Sequence, residues 1–155
     1  MSAAQATPDV RYAVTEPDVA ACYGLMRQLR PGLQSEAEFI TRWKRQAAAG
    51  YRLLALWQGS NPIALAGFRS QENLVHGRHI YLDDLVTDEA ARSRGYGRIL
   101  MEHLRRECRT LGCAKLLLDT PLSNVFGHRF YYRHGLLAIA LRFSLVLPPN
   151  GEREQ

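Results

Sequence analysis

From His79 to Asp119 the chain reads as strand, glycine loop, helix and strand, and this unit limits the available folds more than any other feature. His79 to Thr87 is a largely apolar run that reads as a buried strand, and Arg92-Ser93-Arg94-Gly95-Tyr96-Gly97 joins it to the helix that follows. From Arg98 to Leu111, Leu100, Leu104, Cys108 and Leu111 recur at helical spacing opposite Glu102, Arg105, Arg106 and Arg109. Gly112 closes that helix, and Lys115 to Asp119 follows with a continuous Leu116-Leu117-Leu118 suited to burial on both faces. Two strands joined through a helix pair in parallel, with a right-handed crossover.

The rest of the chain adds antiparallel pairs. Val10 to Val14 reads as a first strand, and Thr15-Glu16-Pro17-Asp18 starts a helix with a cap, a proline in the first turn and an early acid, running to Leu29 before Pro31. Ser35 and Glu38 have capping-box spacing and open a second helix to Ala49, with Gly50 as its stop. Tyr51 to Trp57 and Ile63 to Arg69 flank the turn cluster Gln58-Gly59-Ser60-Asn61-Pro62 and read as a hairpin, with Ile80 to Val86 next. Asn124 to His134 is helical in character, and the apolar run Leu136 to Leu147 reads as a closing strand. The expected order is βααβββαβαβ, an α/β fold with a mixed, mostly antiparallel sheet flanked by helices on both faces.

At 155 residues, 46% hydrophobic and 23% charged, the chain has the make-up of a single globular domain. We place that domain at residues 10–147, between a flexible N-terminus, 1–9, and a flexible tail, 148–155. No apolar run approaches the roughly 20 residues that span a bilayer, and the start has no basic-then-apolar signal pattern, so a cytoplasmic protein with no membrane partner is expected. Cys22, Cys108 and Cys113 lack the spacing of a zinc site or a disulfide framework and read as reduced packing residues. A net charge of +5 admits nucleic acid, but the basic residues are spread along the chain without a dense run, which argues against that partner.

The loop has its own chemistry. Gly95 and Gly97 let the backbone approach a ligand, the start of the following helix offers unpaired N–H groups and a positive dipole end, and Arg92, Arg94 and Arg98 add donors. A phosphate-bearing ligand suits such a place. A Rossmann dinucleotide site is the competing reading, but it expects a third glycine where Leu100 stands and a tighter turn after the strand.

Two motifs, Arg92-x-x-Gly95-x-Gly97 preceded by Leu85-Val86-Thr87, and Asn124-x-x-Gly127-x-x-Phe130-Tyr131-x-Arg133-x-Gly135-Leu136, together resemble those of the GNAT superfamily of N-acetyltransferases. The resemblance covers Val10 to Leu147, with Gly127 in place of the usual Ala and Leu136 in place of the usual Phe. It implies acetyl-CoA as co-substrate, with its pyrophosphate on Arg92, Ser93, Arg94, Gly95, Tyr96, Gly97 and Arg98. It also implies that backbone groups of Leu85, Val86 and Thr87 hold the pantetheine arm and polarise the thioester. Tyr131 becomes the general acid for the departing thiolate, and Asn124, His128 and Tyr131, at i, i+4 and i+7, would share the helical face toward the pantetheine.

An amine acceptor arrives protonated and needs a base. Asp83 and Asp84 are the nearest carboxylates. Adjacent strand residues point to opposite faces, so only one should face the substrate unless a bulge intervenes, and Asp84, with the parity of Val86, is favoured slightly. The acceptor could be a small molecule or a peptide, its specificity set by Leu29 to Phe39. His76 and His79 lack the supporting ligands of a metal site, so no metal is expected. The rival reading is an acyl-CoA-binding regulatory domain without turnover, and the terminal run leaves an edge on which two copies could pair as a homodimer.

Overall fold

The computed structural model describes residues 7–149; of the two ends expected to be flexible, 1–6 and 150–155 lie outside the described residues. The chain forms two compact units that meet at Leu118 and Asp119 in sequence. The first contains β1 (Asp9–Tyr12), α1 (Glu16–Leu29), α2 (Glu36–Ala48), β2 (Tyr51–Gln58), β3 (Asn61–Asn73), β4 (Gly77–Thr87), a single 3-10 turn (Glu89–Ala91), α3 (Tyr96–Thr110) and β5 (Lys115–Leu118). The sheet order is β1-β2-β3-β4-β5, antiparallel throughout except for the parallel pair β4 and β5. This is the mixed, mostly antiparallel sheet expected from the sequence.

Local signals set the helix starts. The Thr15 hydroxyl accepts from Asp18 N at 3.3 Å, with Pro17 in the first turn of α1. Ser35 Oγ accepts from Glu38 N at 3.0 Å, and Glu38 Oε2 reaches back to Gln34 N at 2.7 Å, one residue earlier than a standard capping box would take it. Gly50 turns the chain into β2 at φ 99°, a conformation that disfavours side chains with a Cβ.

Strand alternation then divides the core into two layers. Leu53, Ala55 and Trp57 of β2 pack with Val19, Cys22, Met26 and Phe39 of the first two helices. The intervening face carries Arg52, whose guanidinium donates to Glu107 of α3 at 2.8 Å, and the Tyr12 ring lies there tilted against Phe68 and edge-on to His103. Leu100, Met101 and Leu104 of α3 are fully buried. Helices therefore cover both faces.

One irregularity positions the site. Along β3 and β4, Gly67 pairs with Asp84 but the next residue, Phe68, pairs with Leu82, so Asp83 is an extra residue in β4, a β-bulge. On its other edge β4 pairs with β5 only from His79 to Leu82, ending opposite Leu118. From Asp83 to Thr87 the strand keeps β3 and has no strand on its β5 side among the described residues.

In the second unit, α4 spans Val125–Arg133. Asn124 caps it by accepting from Gly127 N at 3.1 Å, and it ends at Gly135, φ 81°, where Leu136 N reaches back to Tyr131 O at 3.0 Å. The closing strand expected from Leu136 to Leu147 is not formed. Leu137, Ile139, Leu141, Phe143, Leu145 and Leu147 alternate as strand residues do, but all are exposed and the segment has no strand assignment. Alternation supplies the side-chain pattern, whereas a strand also needs a second backbone to take its hydrogen bonds.

Gly67 generates a stability prediction. A Cβ built there would overlap the Tyr51 hydroxyl and lie 2.8 Å from Asp84 Oδ2. Gly67→Ala should destabilise the protein by about 2 kcal/mol in urea unfolding, the usual scale of overpacking, and less in a Tyr51→Phe background. Equal costs in the two backgrounds would contradict the assignment.

Candidate active site

The glycine loop joins the 3-10 turn to α3. The turn is tied down first: Asp88 Oδ1 accepts from Ala90 N at 3.1 Å, and Gln28 of α1 accepts from Glu89 N at 3.1 Å through Oε1. Ser93 takes a left-handed conformation at φ 65° and Gly95 another at φ 79°, so the loop curls before the helix begins. Gly95 is the N-cap of α3 and supplies no side-chain acceptor to the helix. The first N–H groups of α3 are thereby left for an outside acceptor, and successive N–H groups around left-handed residues form an anion-binding concavity. Arg92, Ser93 and Arg94 are exposed beside it, Tyr96 and Gly97 form the first turn, and Arg98 donates to Glu102 at 3.0 Å, an exposed pair that a phosphate could replace at little cost. These residues fit a pyrophosphate.

Leu85, Val86 and Thr87 occupy the stretch of β4 whose β5 side has no strand. Their side chains are buried or half-buried, so what they offer there is backbone, which suits the polarising of a carbonyl.

A cleft of about 560 Å³ lies between the first two helices and the sheet, and both Asp83 and Asp84 line it. The bulge explains why. Strict alternation would send one of the two to the other face, and the extra residue cancels that alternation. Asp83 is gripped by Arg69 through two bonds, Nε to Oδ2 at 2.9 Å and Nη2 to Oδ1 at 2.7 Å. Asp84 Oδ1 accepts from Arg30 Nε at 2.9 Å, and Oδ2 from the Tyr51 hydroxyl at 2.8 Å. Arg30 also donates to the Asp83 carbonyl at 2.7 Å, so one guanidinium spans the bulge. Burial pushes the Tyr51 phenol well above its ordinary pKa, and the neighbouring Asp84 charge adds to the effect.

In the second unit, burial alone raises the Tyr131 phenol above its ordinary pKa. Asn124 is the helix cap, not a residue of a helical face, and its Nδ2 donates to Thr120 Oγ1 at 3.0 Å. His128 Nε2 lies 3.0 Å from the Pro121 carbonyl. A Cβ at position 127 would overlap the Asn124 amide, a physical reason for glycine there. His79 is buried, with Nδ1 2.9 Å from the Gly77 carbonyl.

Sequence reasoning missed Tyr51, Gly67 and Arg69, and took in Arg30 only as part of the stretch Leu29 to Phe39. Only Gly67 carried a signal, since a glycine inside a strand pattern marks a bulge or a close approach.

Residues 19–136 match the model of the acetyltransferase (GNAT) family, a span that crosses from the first unit into the second. An uncharacterized N-acetyltransferase, YhdJ, of Bacillus subtilis is 28% identical over 122 residues, covering 79% of this chain and 86% of its own length. The crystal structure of an acetyltransferase of Trypanosoma brucei superposes with a TM-score of 0.75 at 22% identity, covering 90% of this chain and 99% of that one. Aminoglycoside N-acetyltransferase AAC(6')-Iy, solved in complex with CoA, gives 0.76 at 18% identity, with coverage of 92% and 95%.

The buried phenol of Tyr51 makes stability depend on alkaline pH. Its folded pKa is raised, so its contribution is complete below the unfolded value of about 10 and is lost as pH rises through the folded value. Urea stability of the wild type should therefore fall more steeply above pH 10 than that of Tyr51→Phe. Parallel declines would show that the phenol is not held as described.

Proposed function

The chain belongs to the acetyltransferase (GNAT) family and is an acyltransferase of the N-acetyltransferase type, and on that premise we propose that it transfers an acetyl group from acetyl-CoA directly to a primary amine in a ternary complex. What supports the reading is the conjunction of a β4 stretch, Asp83–Thr87, that has no β5 partner among the described residues with a glycine-led start of α3 that has no side-chain cap. Acetyl-CoA supplies the activated acetyl group as a thioester. The N–H groups of the glycine loop and of the first turn of α3, with Arg92, Arg94 and Arg98, bind the pyrophosphate. Backbone groups of Leu85, Val86 and Thr87 hold the pantetheine arm, and an N–H among them stabilises the negative charge that develops on the acetyl oxygen, an effect worth about 3 kcal/mol for one well-aimed donor.

The acceptor nitrogen enters as an ammonium and gives up one proton before attack. Asp84 anchors it in the cleft. Its Oδ1 is taken up by Arg30, while Oδ2 has a second acceptor site beyond the bond to Tyr51, and a water ordered there carries the proton away. The new C–N bond forms as the C–S bond breaks. Tyr131 gives its proton to the departing thiolate and regains one from the acylated nitrogen, so protons balance with one released to solvent. Asn124 and His128 shape the turn from which α4 carries Tyr131. No step calls for a metal.

Two variants test the roles separately. Tyr131→Phe should lower kcat about 100-fold while leaving acetyl-CoA affinity intact, as loss of a general acid does. Gly97→Glu should weaken acetyl-CoA binding in calorimetry, with the fold retained by circular dichroism. An unchanged rate in the first, or unchanged affinity in the second, would remove that residue from the scheme. Binding without thiol release from the wild type, across a broad panel of amines, would favour a sensor of acyl-CoA instead.

A further inference from the structure

The charge and shape of the cleft narrow the acceptor, and this inference rests on the acetyl-transfer reading above. Two acids, Asp83 and Asp84, and two arginines, Arg30 and Arg42, line it, so its lining is close to neutral. Neither carboxylate is an unmatched charge. Asp83 has both oxygens on Arg69, and Asp84 is bonded to Arg30 and Tyr51. Arg42 has an exposed i,i+4 partner, Glu38, at 3.3 Å on the same helix.

A polyamine or an aminoglycoside brings several ammonium groups. Each needs a carboxylate of its own, and a near-neutral lining whose acids are already matched offers the surplus charges none. A single ammonium can share Asp84. The other part of the cleft is apolar: Trp43 and Leu29 are partly buried and so partly available, and Phe39 and Leu33 lie buried behind them. An apolar surface beside one anchoring carboxylate is suited to a molecule with one charged end and a hydrophobic body.

We infer that the acceptor is a small monoamine with an aromatic or bulky apolar body. Trp43 is then the residue that determines specificity, and Asp84 is the anchor for the amine.

The experiment measures kcat/KM by thiol release from acetyl-CoA with 2-phenylethylamine, tryptamine, ethylamine, spermidine and kanamycin. The two arylalkylamines should exceed spermidine and kanamycin by at least ~10-fold. In Trp43→Ala the ratio of kcat/KM for 2-phenylethylamine over ethylamine should fall by ~10-fold. Trp43→Leu, which keeps more of the packing, should give a smaller drop if the alanine variant does not fold. A preference for spermidine or kanamycin would overturn the inference and leave acetyl transfer standing. If no amine releases thiol although acetyl-CoA binds, the acetyl-transfer reading fails. The cleft is then judged by calorimetric titration of 2-phenylethylamine into the CoA-bound protein, where binding weakened by Trp43→Ala supports an apolar-amine site and no binding overturns it.

Discussion

Between Leu82 and Asp84 the hydrogen-bonding life of β4 changes. From His79 to Leu82 the strand is paired on both edges, and beyond it β3 is its one strand partner among the described residues. A backbone N–H or C=O in a sheet is normally consumed by its neighbour, and one that is not must find water or a ligand. Ending the β5 ladder early therefore gives the sheet a polar, directional backbone edge. The glycine loop and the start of α3 follow this stretch of β4 directly in the chain.

The bulge at Asp83 has a second effect, because it turns two adjacent carboxylates toward one cleft. Two acids side by side would repel, and this is resolved by Arg69 of β3 on one, Arg30 from the end of α1 on the other and Arg30 again on the backbone of Asp83. Tyr51 completes the set from β2, through the space that Gly67 leaves open. Such a network is costly unless each member is satisfied, and satisfied it becomes rigid. A fixed carboxylate suits an anchor better than a mobile one would, since positioning of the acceptor depends on it.

Much of the architecture was legible because its signals are local. Thr15 with Pro17, Ser35 with Glu38, and the glycines at 50, 95, 112 and 135 act on their own neighbourhoods, and the observed elements start and stop within a few residues of them. The strand, loop, helix and strand unit was legible as well, since its helical periodicity and buried leucines lie in one continuous stretch. What stayed hidden depends on partners distant in sequence. Tyr51 and Arg30 reach Asp84 from 33 and 54 residues away, and no spacing rule links them. The bulge needed Gly67 on another strand. The run from Leu136 to Leu147 has the side-chain alternation of a strand, but pairing is not encoded in alternation. Asn124 illustrates a different limit: helical spacing put it on a face with His128 and Tyr131, whereas its preference for capping won.

The central claim is that backbone groups of β4 beyond its pairing with β5, and at the start of α3, hold acetyl-CoA. Amide hydrogen exchange read by mass spectrometry, with and without saturating acetyl-CoA, tests it most directly, because it reports on backbone N–H groups themselves. Slowed exchange concentrated in segments covering Leu85 to Thr87 and Ser93 to Ile99 is the predicted result. Unchanged exchange in both segments at saturation, or protection confined to other parts of the chain, would contradict it.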